Sequence, residues 1–247
     1  MRSLIIACRV MEDELLSLAT GREELFFLEQ GLHRSPERLR QTLQEAIDTA
    51  VDYDLILLGY GLCGGALDGL RAGPCPVIIP KVHDCIPLLL GSVAARGRWP
   101  AGTYFLSSGW LAGEENIVKD YQRCLERYGE ERGSWILKQI YSHYQNMVFI
   151  RTDFGQGNCT VGSNRQVKPG AAASSRLLQP ADLATARQLA ANLGLAYEVY
   201  QGNSLYLQRL IKGPWEDDFL KVEPRGEISI RVFLSSGAGE NEKNGHR

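Results

Sequence analysis

Short apolar runs alternate along this chain with segments whose apolar residues recur at helical spacing, and this alternation restricts the fold more than any other feature. A continuous apolar run such as residues 55–58 is typical of a strand that is covered on both faces. Strands that alternate with helices indicate an α/β protein with a mostly parallel sheet. The sequence therefore predicts a three-layer, Rossmann-like α/β fold, in which helices flank the sheet.

The boundaries of the elements follow from apolar runs, helix caps and turn residues. Helix 36–50 is the clearest, because Ser35 can cap it and Pro36 suits its first position. Further helices are predicted at residues 115–128, 134–144 and 182–193. The predicted strands span residues 3–7, 25–28, 54–58, 76–80, 103–106, 147–152 and 196–200.

We expect a single α/β domain over residues 1–234, which can divide into two lobes near residues 100–110. Residues 155–175 are rich in small side chains without periodicity and predict a long loop. Residues 219–223 and 227–234 predict a C-terminal β-hairpin, and residues 235–247 a disordered tail.

Charge and hydropathy exclude two classes of partner. The net charge is −2 and no basic stripe is present, which argues against binding to nucleic acid or to an anionic membrane. No apolar run approaches the roughly 20 residues that a membrane span requires. The apolar run before Cys8 is too short for a signal peptide, so we expect a cytoplasmic protein with reduced thiols.

Three cysteines share one relation to the predicted strands. Cys8 ends the first strand, and Cys63 and Cys85 each lie five residues after a later one. In a parallel sheet all three would emerge at the carboxyl edge, where open α/β sheets carry their sites. Three thiolates with an imidazole can hold zinc, and three thiolates with an open position can hold an iron–sulfur cluster. We therefore expect a thiolate-bound metal ion, with zinc favoured.

Two histidines are candidate fourth ligands. If residues 83–85 are extended, His83 and Cys85 share a face and can point at one centre. Asp84 then points away, so we expect it to orient a ligand or bind substrate. His33 follows the strand at residues 25–28 and is a candidate at the same edge.

Free cysteines are also among the most buried residue types and often act as small hydrophobes. That interpretation is kept for Cys75, Cys124 and Cys159, and it stays open for the other three.

A glycine motif competes with the cysteines for the same loop. Gly59, Gly61 and Gly64 match G-x-G-x-x-G directly after a strand, as in a dinucleotide-binding loop. Residues 65–72 leave little room for the helix that would receive the pyrophosphate. The alternative is a tight turn that brings Cys63 to the site.

Aromatic and hydroxyl side chains are expected beside the metal. Tyr60 lies between two of the glycines and could donate a hydrogen bond to a substrate, while Trp110 could form an apolar wall. Ser107 and Ser108 follow the strand at residues 103–106 and should line the same pocket. Both aromatics could equally be core residues.

Several short motifs together resemble the prokaryotic family known as domain of unknown function 1638. They are residues 4–8, 32–37, 57–64, 80–85, 91–92, 102–106 and 109–110, and the likeness covers roughly residues 3–234. The resemblance implies that Cys8, His33, Cys63, His83 and Cys85 belong to the pattern, although some members have adjacent His and Cys where this chain has Asp84 between them. It supplies no reaction. It implies that members often accompany corrinoid proteins and methyltransferases of anaerobic one-carbon metabolism.

Three functional hypotheses follow. The first is a metal-dependent enzyme of corrinoid-linked methyl transfer, whose thiolate-held metal activates a thiol or similar small-molecule acceptor. His83-x-Cys85 is also similar to the zinc motif of cobalamin-dependent thiol methyltransferases. The second is a non-catalytic metal or corrinoid carrier that serves a methyltransferase or a corrinoid protein. The third is a nucleotide-binding enzyme that uses residues 59–64.

Overall fold

The computed structural model describes residues 1–152, 180–231 and 233. The strands are β1 Ser3–Cys8, β2 Glu23–Leu28, β3 Leu55–Gly59, β4 Val77–Pro80, β5 Thr103–Leu106, β6 Asn146–Arg151, β7 Ala196–Gln201 and β8 Phe219–Val222. The α-helices are α1 Glu12–Leu18, α2 Pro36–Asp48, α3 Ile86–Leu90, α4 Val93–Arg96, α5 Ser108–Ala112, α6 Ile117–Tyr128, α7 Glu130–Ile140, α8 Pro180–Leu193 and α9 Leu205–Lys212. No helix in the described part is long and apolar enough to cross a membrane.

The first sheet has five strands in the order β2-β1-β3-β4-β8. The first four are parallel, and β8 is antiparallel to β4. Strands β1, β3 and β4 are buried along their whole length, as their continuous apolar runs predict. This arrangement confirms the α/β, Rossmann-like fold with a mostly parallel sheet.

The strand order of this sheet reverses direction beside β1. Because β1 is followed by its neighbour β2 and then by β3 on its opposite flank, the strand order reverses between β1 and β3. In open α/β sheets, ligands bind outside the carboxyl ends of the strands at such a reversal. Cys8 is the last residue of β1 and Tyr60 follows β3, so both lie at this point.

A second, separate sheet contains β5, β6 and β7, all parallel. It has its own apolar cluster, built around Leu106, Met147 and Phe149 and completed by residues of α6, α7 and α8. The second sheet begins at Thr103, inside the region where the sequence indicates a division into lobes.

Elements after the second sheet's β5 pack directly on the carboxyl edge of the first sheet. A Cβ on Gly109 of α5 would lie 2.0 Å from the Val10 carbonyl oxygen, so only glycine permits this approach. The Gln30 side chain donates to the carbonyl oxygens of Trp110 and Glu115, at 3.2 and 2.9 Å. The two sheets are therefore joined next to the end of β1.

The C-terminal antiparallel pairing is present, but β8 pairs with β4, not with the residues that follow it. Glu227 instead forms an isolated bridge with Arg71. Strand β4 of the parallel sheet thus takes the place of the second strand of the predicted hairpin. The predicted loop at 155–175, the tail at 235–247 and Cys159 lie outside the described residues.

Candidate metal site

The three candidate cysteines lie at the carboxyl edge of the first sheet. Cys8 ends β1, Cys63 begins a short 3-10 helix after β3, and Cys85 precedes α3 after β4. All are free thiols, of which Cys8 is buried and the other two are half-buried. The shared placement at one sheet edge is as the spacing predicts.

The loop after β3 is held against the loop after β4 by backbone contacts. The amides of Leu62 and Cys63 donate to the carbonyls of Val82 and His83, at 2.8 and 2.9 Å. A Cβ on Gly61 would lie 2.7 Å from backbone atoms of Asp84, so this close approach requires glycine. The two cysteine-bearing loops are thereby fixed side by side.

The other glycines of the motif serve packing. A Cβ on Gly59 would lie 2.7 Å from the Ala7 Cβ, so Gly59 lets β1 and β3 pack closely. Gly64 has a φ of 71° and lies against Pro36. Between β3 and α3 the structure contains β4 and the 3-10 helix Cys63–Gly65, and no α-helix follows the glycine loop to receive a pyrophosphate.

The three thiols lie within electrostatic reach of one another. Burial raises the pKa of Cys8 to about 11 and that of Cys63 to about 12, and the Cys8 thiol contributes to the rise at Cys63. Burial also raises the pKa of Cys85 well above its usual value, and Cys8 and Cys63 add to that rise. A backbone hydrogen bond from Gly61 favours the Cys63 thiolate, as expected, but burial outweighs it. Without a cation all three are neutral thiols.

Tyr60 lies within electrostatic reach of all three thiols. Burial raises the pKa of its phenol well above the usual value, and Cys8, Cys63 and Cys85 all raise it further. Its hydroxyl is buried and has no hydrogen-bond partner among the described residues. A buried hydroxyl without a hydrogen-bond partner lowers the stability of the fold, so the presence of the Tyr60 hydroxyl requires an explanation.

The extended geometry predicted for residues 83–85 is wrong. Cys85 has helical backbone angles, with φ −78° and ψ −6°, because Ile86 and Pro87 begin α3. His83 is exposed while Cys85 is half-buried, so the shared-face argument does not unite these two side chains. The sequence signal for α3 is the apolar run after Pro87, a residue that suits the first turn of a helix.

Asp84 supports the turn that carries Cys85. Its Oδ1 accepts a hydrogen bond from the Ile86 amide at 2.9 Å. Burial raises the pKa of the Asp84 carboxyl, whereas this hydrogen bond lowers it. The contact orients the start of α3, which agrees with a supporting role for Asp84.

His33 and Trp110 lie together at the same edge. The His33 ring is 4.8 Å from the Trp110 ring, and its Nδ1 contacts the Gln30 carbonyl oxygen. Trp110 belongs to α5, which packs against the 3-10 helix after Cys8. Ser108 in α5 is buried, and its hydroxyl has no partner among the described residues, while Ser107 caps α5 through the Trp110 amide. Both serines therefore adjoin the joint between the two sheets.

The remaining cysteines are elsewhere in the fold. Cys75 is buried in the first apolar cluster, before β4. Cys124 belongs to α6 and its Sγ lies 3.6 Å from the Gly133 carbonyl oxygen. Both therefore provide matched controls for the three edge cysteines.

The donor chemistry of the edge fits a thiophilic ion. Soft thiolates select zinc or iron–sulfur clusters, and three thiols within reach of one another provide that donor set. In the part of the chain that the structure describes, however, no group of three or more His, Cys, Asp or Glu side chains is already arranged to hold a metal ion. Binding would therefore require the cysteine side chains to turn toward a common centre.

Glu14 is a buried carboxyl that the sequence pattern does not predict. It belongs to α1, which was not predicted, since seven residues give too short a pattern for a helical period to be recognised. The available signal was an acidic residue directly before an apolar pair, Leu15 and Leu16.

Comparisons with curated proteins and with solved structures give no match. One family model does match, and it spans residues 27–161, more than half of the chain. The matched part contains Cys63 and Cys85 and begins after Cys8. On this match the chain belongs to the family described as protein of unknown function DUF1638.

Proposed function

We propose that this protein binds a thiophilic metal ion, zinc in the first instance, through Cys8, Cys63 and Cys85, and acts in corrinoid-linked methyl transfer. The observation that carries the metal site is the placement of three free thiols at one sheet edge, within electrostatic reach of one another and of a buried Tyr60 hydroxyl that has no partner among the described residues. The methyl-transfer context comes from the family resemblance.

The thiols explain why a cation would bind here. The three neutral thiols, of which one is buried and two are half-buried, have raised pKa values because removal from water disfavours their thiolates. A divalent cation supplies compensating charge, so binding is coupled to the release of protons from the thiols. When bound, such an ion can activate a thiol or similar acceptor at an open coordination position.

The neighbouring residues would orient the reactants. The Tyr60 hydroxyl, which has no partner in the described protein, can donate a hydrogen bond to a bound substrate. Asp84 keeps the turn at Cys85 in place through the Ile86 amide. Trp110, held over His33 at the joint of the two sheets, can exclude water from one side.

The test is anaerobic purification followed by elemental analysis and an absorption spectrum. We expect about one zinc per chain without visible colour, whereas a brown protein would indicate an iron–sulfur cluster. Replacement of Cys8, Cys63 or Cys85 by Ser should each remove most of the metal. Cys75→Ser and Cys124→Ser are the matched controls and should retain it. Equal loss in all five variants, or loss in none, would contradict the site.

The reaction is tested separately from the metal. A metal-loaded protein should transfer a methyl group from a methylated corrinoid to a thiol, and Tyr60→Phe should slow that transfer while metal content stays unchanged. A protein that binds metal through the three cysteines but shows no turnover would support a carrier instead.

A further inference from the structure

A buried carboxyl joins the two sheets at a second point. Glu14 of α1 is only 4% exposed, and its Oε1 accepts a hydrogen bond from the Thr152 hydroxyl at 2.5 Å. α1 follows β1 of the first sheet, whereas Thr152 directly follows β6 of the second. The contact therefore links elements that are 138 residues apart in sequence.

The other oxygen of this carboxyl is unsatisfied. Oε2 is buried and has no hydrogen-bond partner among the described residues. Since Oε1 accepts the Thr152 proton, Oε2 is the oxygen that carries a proton when the carboxyl is neutral. A charged carboxylate here would keep the Thr152 hydrogen bond and a backbone hydrogen bond at Glu14 but lose its hydration, and the net effect disfavours the ionised form.

We propose that Glu14 is a proton-dependent latch: the neutral carboxyl holds α1 against the end of β6, and its ionisation releases that contact. When the two elements separate, water reaches the carboxylate and the cost of the buried charge disappears. The latch needs no bound metal, so its failure and that of the proposed metal site can be told apart.

The charges around Glu14 agree with this role. Burial is the largest cause of a rise in its pKa to about 7; the Thr152 hydrogen bond and a backbone hydrogen bond at Glu14 lower the pKa, and the neighbouring Asp13 raises it. Basic residues occur on the elements that adjoin α1. They are Arg9 in the preceding 3-10 helix, Arg151 on β6, and Arg209 and Lys212 on α9.

The pH window follows from linkage. In the closed state the pKa is about 7, and in the open state it returns toward 4.5. The closed state therefore binds the extra proton between these values, and its stability is fully present below pH 4.5 and is lost as pH rises to about 7. Across that window the opening equilibrium should rise by about 10-fold per pH unit and then level off.

Amide hydrogen exchange of the full chain, compared with Glu14→Gln at each pH, measures this opening. Taking the ratio of the two proteins at the same pH cancels the pH dependence of exchange itself. We expect the wild-type to variant ratio to rise about 10-fold per pH unit between pH 5 and 7 for peptides covering residues 12–18 and 146–152. Residues 55–59 of β3 should exchange through global unfolding, which also exposes Glu14, so their ratio should follow the same pH trend while their exchange stays far slower at every pH. Glu37→Gln, at an exposed carboxyl of α2, should match the wild type throughout.

A flat ratio in α1 and β6 would overturn the latch, and so would equal protection of these two elements and of β3 at every pH, because the contact would then open only in global unfolding. Thr152→Val provides a second test that leaves the carboxyl in place. Without the hydroxyl donor the Glu14 pKa should rise, so the levelling-off should move to higher pH. Selective ¹³C labelling of glutamate carboxyls gives the midpoint directly. A midpoint below about pH 5 would contradict the proposal.

Discussion

The two parallel sheets differ in how completely their strands are buried. In the first sheet every residue of β1, β3 and β4 is buried, whereas every residue of β7 in the second sheet is at least partly exposed. Helices α1, α2 and α9 contribute to the large apolar cluster around the first sheet. The second sheet is thus an accessory layer with an open edge strand, and the first is the core that supports the candidate site.

The carboxyl edges differ in chemistry as well. The carboxyl edge of the first sheet presents three free thiols and the Tyr60 phenol, whose hydroxyl has no hydrogen-bond partner in the described chain. Beyond the second edge, the Asn116 side chain makes four hydrogen bonds, which fix the start of α6. Polar groups that lack partners are expected at functional sites, where local rules are broken and the surrounding fold compensates. The first edge, together with the unpartnered Ser108 hydroxyl of α5 that packs beside it, therefore has the character of a site, whereas the start of α6 has a structural role.

The largest expected effect tests the difference in burial. Leu57→Ala, at a fully buried position of β3, should lower the free energy of unfolding by about 2–5 kcal/mol because it removes core contacts and leaves a cavity. Val199→Ala, at a 43% exposed position of β7, should change it by less than about 0.5 kcal/mol. Urea denaturation measures both. Similar losses at the two positions would show that β7 is as buried in solution as β3.

The next effect tests the close approach of the two cysteine-bearing loops. Gly61→Ala places a Cβ 2.7 Å from the Asp84 backbone, and we expect a loss of about 3 kcal/mol together with reduced metal binding. Beside the second sheet, a Cβ on Gly102 would lie 3.1 Å from the His143 carbonyl oxygen, which is a milder steric conflict. Gly102→Ala should cost about 1 kcal/mol. If Gly61→Ala were as stable as the wild type, the loops would not be held as described.

A smaller effect tests the hydrogen bonds that fix the start of α6, beside the second sheet. Asn116 is 2% exposed, and its side chain accepts from the amides of Val118 and Lys119 while donating to two carbonyls. Asn116→Ala should therefore lower stability by about 2 kcal/mol. Ser92→Ala removes one exposed cap contact of α4, to the Ala95 amide, and should cost about 0.5–1 kcal/mol. Thermal unfolding shows which of the two variants loses more stability, and a larger loss in Ser92→Ala than in Asn116→Ala would contradict the structural role of Asn116.

The comparison also separates what the sequence can and cannot predict. Fully buried strands produce continuous apolar runs, so β1, β3 and β4 were predicted to within about one residue at each end. A division near residues 100–110 could be predicted, but the separation of the strands into two sheets could not, because strand pairing depends on tertiary contacts. The C-terminal strand was predicted, but its partner β4 was not, for the same reason.

The candidate site shows the same limit. Strand ends can be located from sequence, so the joint placement of Cys8, Cys63 and Cys85 followed from the spacing alone. The orientation of His83 did not, because Pro87 allows either an extended approach or the first turn of a helix, and the structure has the helix. Tertiary packing determines whether short elements form, and the local periodicity of a sequence does not report that packing.

The smallest effect distinguishes a core tyrosine from a site tyrosine. Tyr60 and Tyr206 are both 2% exposed, but the Tyr206 hydroxyl donates to the Asp218 carbonyl oxygen at 3.1 Å, whereas that of Tyr60 has no partner in the described residues. Tyr206→Phe should lower the free energy of unfolding by about 0.5–1 kcal/mol because it removes a hydrogen bond. Tyr60→Phe should leave stability unchanged or raise it by up to about 1 kcal/mol, since it removes a polar group that is buried without compensation. Urea denaturation of the metal-free proteins provides the comparison. Equal losses in the two variants would mean that the Tyr60 hydroxyl already has a partner in the folded protein, and it would then not be free to bind a substrate.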